Sequence, residues 1–315
     1  MLSASALMRG ARTAGCLVAL LAALAGCAVQ TPRLLGAPPA DLPPRVELAS
    51  TPFFPQEDYQ CGPAALATAL SAIGIPTRPE ALVDRVFLPG RQGSLQIEML
   101  AGARGRGAVA TRIPGTLEAV MRETHEGNPV VVLQNLGLSW APSWHYAVVI
   151  GYALDAAHFV LRSGPMERQE LPFSTFEHTW DRSGRWAFVV TLPGTLPATA
   201  SETEAARALV AFEHNAPPDA AARAYRGALA RWPDNLTLAM GLGNTLYAQG
   251  DTSGAVAVFR NAAQRHDAAA AYNNLAMVLL ELGRRSEARR AAEQAVSLGG
   301  PFREQAADTL RRVNE

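Results

Sequence analysis

Apolar and polar positions follow three different rhythms along this chain. A short apolar run at 16–24 comes after Arg9 and Arg12; it is too brief to span a bilayer and, with its basic flank, reads as a signal peptide. A proline-rich stretch follows, containing Thr31-Pro32-Arg33, Pro38-Pro39 and Pro43-Pro44, and is expected to be an extended tether. From Ala64 the apolar residues recur at helical spacing through Leu66, Ala67, Leu70 and Ile73, and Gly74 is placed to end that helix. Further helical patterns at 79–87 and 94–103 are set apart by Gly74-Ile75-Pro76 and Pro89-Gly90. Residues 108–113 suit a strand, and 117–125 a short helix introduced by Thr116. The rhythm then changes to apolar runs at 129–133, 145–152, 158–162 and 186–190, the pattern of buried strands. Asp155-Ala156-Ala157 is short enough to be a hairpin turn, and a brief helix fits near 174–180. Helices first and an antiparallel sheet second is an α+β layout.

Beyond Leu192-Pro193-Gly194-Thr195-Leu196-Pro197 the pattern becomes all-helical and repeats itself. Leu242-Gly243, Leu246, Gly250, Ala255, Phe259 and Ala262 recur one repeat length later as Leu275-Ala276, Leu279, Gly283, Ala288, Ala292 and Ala295. A weaker copy precedes them in Phe212, Ala221, Tyr225, Ala228 and Pro233. The spacing resembles the tetratricopeptide repeat, in which small residues stand where paired helices approach closely. Three copies at about 202–235, 236–268 and 269–301, the minimum for a stable stack, would be capped by a final helix at 302–313. The expected division is therefore a signal at 1–26, a tether at 27–48, an α+β domain at 49–193, a linker at 194–201 and an all-α repeat solenoid at 202–315.

Composition changes this picture in two places. The 28 basic and 28 acidic side chains balance over 315 residues, which leaves no basic footprint for nucleic acid. The apolar run ends in Leu24-Ala25-Gly26-Cys27, which resembles the signal box of bacterial lipoproteins. That resemblance implies cleavage before Cys27, lipid on its sulfur and, with Ala28 rather than Asp next, sorting to the periplasmic face of the outer membrane. An ordinary secretory signal is the alternative. With Cys16 removed and Cys27 acylated, Cys61 is the one free thiol of the mature chain, and an unpaired thiol in an exported protein points to reactivity or intermolecular pairing.

Cys61 falls at the start of the helical pattern, with Pro63 suited to the first turn. Unpaired N–H groups and the helix dipole favour a thiolate there. A nucleophilic cysteine needs a base and an oxyanion donor. Of six histidines, His145 stands out because it opens a strongly apolar strand after Ser139-Trp140-Ala141-Pro142-Ser143-Trp144, whose tryptophans are expected to limit water. His125, His158, His178, His214 and His266 lie in helix ends, strand starts or the repeats. The histidines are scattered without paired ligand spacing, and no full phosphate-binding glycine loop occurs, so no metal or cofactor is expected.

Gln-x-x-x-x-Cys-Gly-Pro-Ala-Ala-Leu, followed by His-Tyr-Ala-Val-Val-Ile-Gly-Tyr, resembles the bacteriocin-processing, double-glycine leader type of papain-like cysteine peptidase over about residues 50–192. The resemblance implies Cys61 as nucleophile, His145 as base and Gln56 as side-chain oxyanion donor. Two departures stand out. Gln56 lies five residues before Cys61 where the family glutamine usually lies six before. The family's histidine-orienting Asp, at the end of the strand after the histidine strand, is replaced within Leu161-Arg162-Ser163-Gly164, which leaves Ser163 as the candidate. Asp155 sits in the hairpin turn and is expected at the opposite end of the strands. The sequence thus points to a membrane-anchored periplasmic cysteine peptidase acting on peptide or protein substrates, with repeats that recruit a substrate or partner protein. The alternative is a non-catalytic binding lipoprotein that keeps the peptidase fold as a scaffold.

Overall fold

A computed structural model describes residues 29–55 and 60–315. The signal segment, Cys27 and Gln56 lie outside the described residues. The fold is the expected one, an α+β domain built on an antiparallel sheet followed by a helical repeat array.

The first domain contains α1 (Gln30–Gly36), β1 (Arg45–Glu47), α2 (Cys61–Ala72), α3 (Glu80–Val86), α4 (Gln96–Arg104), β2 (Val109–Arg112), α5 (Leu117–His125), β3 (Val130–Asn135), β4 (Trp144–Ala153), β5 (His158–Ser163), β6 (Met166–Pro172), α6 (Phe173–Asp181) and β7 (Ala187–Thr191). The seven strands form one antiparallel sheet in the order β2-β7-β3-β4-β5-β6, with β1 pairing with the far half of β4. Strands β3, β5 and β7 are buried on both faces, which explains their near-continuous apolar sequences.

One face carries α2, α3 and α4, where Leu66, Leu70, Val86 and Met99 meet Val148, Ile150 and Phe188. The other carries α5 and α6, where Val120, Met121, Phe176 and Trp180 meet Val149, Phe159 and Val189. Helix α2 is buried from Gly62 through Leu70, apolar all round, as a helix enclosed on every side must be. Close approach is written into Gly62: a Cβ there would fall 2.2 Å from Ser94 Oγ.

Residues 30–47, expected as a free tether, are folded onto this domain. The backbone N–H groups of Gln30 and Thr31 donate to the Glu177 carboxylate at 2.7 and 2.8 Å, and Thr31 Oγ1 donates to it as well. Leu34 and Leu42 are buried in the core and β1 joins the sheet. Strand β6 has no apolar rhythm because it is an exposed edge strand; it is held by pairing with β5 and by Arg168, which donates to Glu47 at 2.9 and 3.0 Å.

The second domain has α7 (Glu202–Glu213), α8 (Pro218–Arg231), α9 (Leu236–Ala248), α10 (Thr252–His266), α11 (Ala269–Glu281), α12 (Arg285–Leu298) and the capping α13 (Arg303–Asn314). Gly241 and Gly243 lie where a Cβ would meet the rings of Tyr225 and Phe259 at 2.2 and 2.3 Å, so glycine is what allows each helix pair to close. Gly250 and Gly283 turn the chain between paired helices at φ +80° and +72°, a conformation that glycine adopts without strain. Buried Glu123 fastens the linker to the first domain, accepting from the backbone N–H groups of Ala198 and Thr199, from Thr199 Oγ1 and from Asn128 Nδ2.

Candidate active site

Cys61 is the first residue of α2, and burial of that helix brings its amino end against the start of β4. The sulfur is approached by the backbone N–H of Tyr146, the residue after His145, and by the N–H groups of Gly62 and of Cys61 itself. The thiol therefore sits beside the His145–Tyr146 peptide. Burial nonetheless pushes the Cys61 thiol above its ordinary value, outweighing those three donors. The expectation of a thiolate favoured by helix position is corrected: the dipole is visible in the sequence, but the desolvation that overrides it is not.

His145 is placed by two strand pairings. On one side it lies opposite Gln134 of β3. On the other, β5 brings Ser163 alongside, and His145 Nε2 lies 2.9 Å from Ser163 Oγ. Ser163 is buried, and among the described residues this is the side-chain hydrogen bond that His145 makes. For Nδ1 to accept a proton from the thiol, Nε2 carries the ring hydrogen and donates it to Ser163 Oγ. Burial lowers the His145 pKa, so the imidazole rests neutral. Burial thus disfavours the charged form of each group.

Tyr146 anchors the other side of the site. Its hydroxyl donates to the Ser94 carbonyl at 3.2 Å, tying the segment before α4 to β4, and its ring packs edge-on against Trp186. Asn135, absent from the expected site, shapes the loop that delivers His145. Its Oδ1 accepts from the N–H groups of Gly137 and Ser143 at 3.0 and 2.9 Å, closing the loop base. An asparagine at a strand end is the signal that could have pointed to it.

The remaining expectations fall out as follows. Asp155 accepts from Arg45 at 2.9 Å in the turn at the other end of the strands, far from His145. Trp140 and Trp144 do not screen the site from water: they are 82% and 53% exposed. They stand on a narrow hairpin, which has no second layer to bury them. Gln56 lies outside the described residues.

Comparison with known proteins divides the chain in the same way. Residues 48–188 match the Peptidase C39 like family. Residues 205–270 and 241–308 match the tetratricopeptide repeat. Among solved structures, the chain is similar to a putative C39-like peptidase from Bacillus anthracis, 18% identical, over 47% of this chain and 97% of that one, with a TM-score of 0.39. It is also similar to the type III secretion chaperone SycD of Yersinia enterocolitica, whose structure is in complex with a peptide of the translocator YopD. That similarity is 17% identity over 37% of this chain and 96% of that one, with a TM-score of 0.34. No curated protein matches the chain.

Proposed function

We propose, from the premise that residues 48–188 are a C39-like peptidase domain and residues 205–308 are tetratricopeptide repeats, that this protein is a cysteine peptidase. It acts by acyl transfer from Cys61, in an envelope lipoprotein anchored through Cys27. The observation that carries the reading is a thiol at a helix amino end beside the His145–Tyr146 peptide, with His145 Nε2 already partnered by Ser163.

The steps follow from that reading. His145 Nδ1 takes the Sγ proton as the sulfur attacks a peptide carbonyl, so the charge pair forms only as the bond does. The resulting oxyanion is held by the Cys61 backbone N–H and by the Gln56 amide. His145 returns the proton to the leaving amine, and water, deprotonated by the same imidazole, releases the thioester. Ser163 keeps the ring oriented but brings no charge to stabilise imidazolium, so turnover is slower than a carboxylate in its place would allow. The repeats support binding of a protein partner in their concave groove.

The test is labelling of the mature protein with an electrophilic peptide probe, followed by mass spectrometry. Adduct on Cys61 that disappears in Cys61→Ala and slows in His145→Ala supports the reading. Labelling of the folded protein no faster than that of urea-unfolded protein would sink it. The neutral resting state of both groups and the serine at 163 favour a second reading, a peptidase fold retained as a binding scaffold. Full cellular function of Cys61→Ala would decide for it.

A further inference from the structure

The two ends of the sheet differ sharply in what they expose. One end holds the carboxyl termini of β2, β3 and β5 and the amino termini of β4, β6 and β7, as the pairs Asn135–Trp144 and Ser163–Met166 require. At this end His145 is bonded to Ser163, and the Cys61 thiol sits beside the backbone N–H of Tyr146. The other end releases β7 at Thr191 into the linker and the repeats, whose first helix α7 packs against β2 beside Val109.

Large apolar side chains stand exposed around the first end: Leu136, Leu138, Trp140, Trp144 and Met166. Trp140 is the furthest out. It sits in a two-residue turn closed by reciprocal hydrogen bonds between Leu138 and Ala141, both 3.1 Å. The base of that hairpin is fixed by Asn135 and by Arg182, which donates to the Gly137 carbonyl. A rigid hairpin that holds tryptophan in water is costly without a partner, because exposed apolar surface on this scale usually marks an interaction site.

The chain itself indicates which partner. Gln30 is tied to the same end: its side chain donates to the Gly115 carbonyl at 3.3 Å and accepts from the Leu117 N–H at 2.9 Å. Gly115 follows β2 and lies against Arg185, just ahead of β7. Everything upstream of residue 29, including the apolar run at 16–24 and Cys27, therefore joins the domain at the end that carries Cys61 and His145.

We propose that this end is a membrane-facing surface that rests on phospholipid, with the Trp140 hairpin in the headgroup layer. The proposal builds on the lipid-anchor reading. Cys27 stands three residues before Gln30, about 10 Å of extended chain, so an acyl group there draws this end down to the bilayer. Tryptophan, apolar in body with one polar N–H, suits the interface. The site then faces the membrane, and its substrates are polypeptide segments lying on the bilayer or emerging from it. The repeats, leaving from the opposite end, meet partners from the aqueous side.

The experiment uses the full mature chain with Cys27→Ser, which has no acyl anchor, and vesicles of phosphatidylethanolamine and phosphatidylglycerol at about 3:1. Partition is read by sedimentation, and depth by quenching of tryptophan emission with lipids brominated along their chains. Expected are measurable partition, quenching that is lost in Trp140→Phe, and about tenfold weaker partition for Leu138→Ser/Trp140→Ser. Hydrolysis of a soluble peptide by that double variant should be unchanged. Absence of quenching in the parent overturns the proposal. So does a double variant that loses peptide hydrolysis while partition stays the same, which would make the hairpin a substrate subsite. Acylation is checked separately by the mass of the amino-terminal peptide. An unmodified Cys27 with Trp140 quenching intact removes the anchor and leaves the membrane contact standing.

Discussion

The two halves of this molecule are stable for different reasons. In the sheet half, every candidate site residue depends on segments far apart in sequence: α2 carries the thiol, β4 the imidazole and β5 the hydroxyl bonded to it. In the repeat half, each helix pair leans only on its neighbours, and the close contacts are glycine against an aromatic ring one helix away. The contrast teaches that damage should stay local in the repeats and spread in the sheet domain.

The largest expected effect breaks the sheet domain. Trp180 is fully buried and donates from its indole N–H to the Trp186 carbonyl at 2.9 Å. Trp180→Ala should destabilise that half by about 3–5 kcal/mol and lower its calorimetric transition while a repeat transition persists. A single shared transition moving as one would refute the division. Glu123→Ala comes next: it leaves the N–H groups of Ala198 and Thr199 without their acceptor. A loss of about 2–3 kcal/mol is expected, read in the transition of the sheet domain. Gly243→Ala forces a methyl into the Phe259 ring and should cost about 1–3 kcal/mol, confined to the repeats, with probe labelling of Cys61 intact. Loss of labelling would show that the repeats support the site.

The smaller effects concern chemistry. Ser163→Ala should reduce turnover about tenfold and, by leaving the His145 N–H without its buried acceptor, cost about 1 kcal/mol of stability. Ser163→Asp should raise the His145 pKa and shift the acid limb of the rate profile upward. Because burial raises the Cys61 pKa, the folded chain keeps its proton where the unfolded chain has lost it. Stability should therefore fall as pH rises through the ordinary thiol value, and iodoacetamide labelling should climb only above that value. A labelling limb below it would restore the thiolate reading.

The sequence made some of this legible and hid the rest, for physical reasons. Helix α2, the strand from His145 and the repeats announce themselves because burial imposes a rhythm on their residues. Strand β6 does not, since an exposed edge strand needs neither apolar face, and α1 was masked by prolines that end at its first turn or stand beyond it. Ser163 was reached only through the family resemblance; its approach to His145 depends on the pairing of β4 with β5, including a register shift between Val149 and Gly151 that no local pattern reveals. The burial that raises the Cys61 pKa is hidden for another reason: a helix dipole can be read from one segment, whereas burial is a property of the whole domain.

Glu177 has a consequence for the protein's synthesis. Its carboxylate seats Gln30 and Thr31, 147 and 146 residues earlier in the chain. A nascent polypeptide emerges amino end first, so that stretch has no docking partner until α6 has followed it out. Once Glu177 arrives, the backbone N–H groups of Gln30 and Thr31 have their acceptor. The last helix of the domain to be made thus sets when Gln30 and Thr31 take their place.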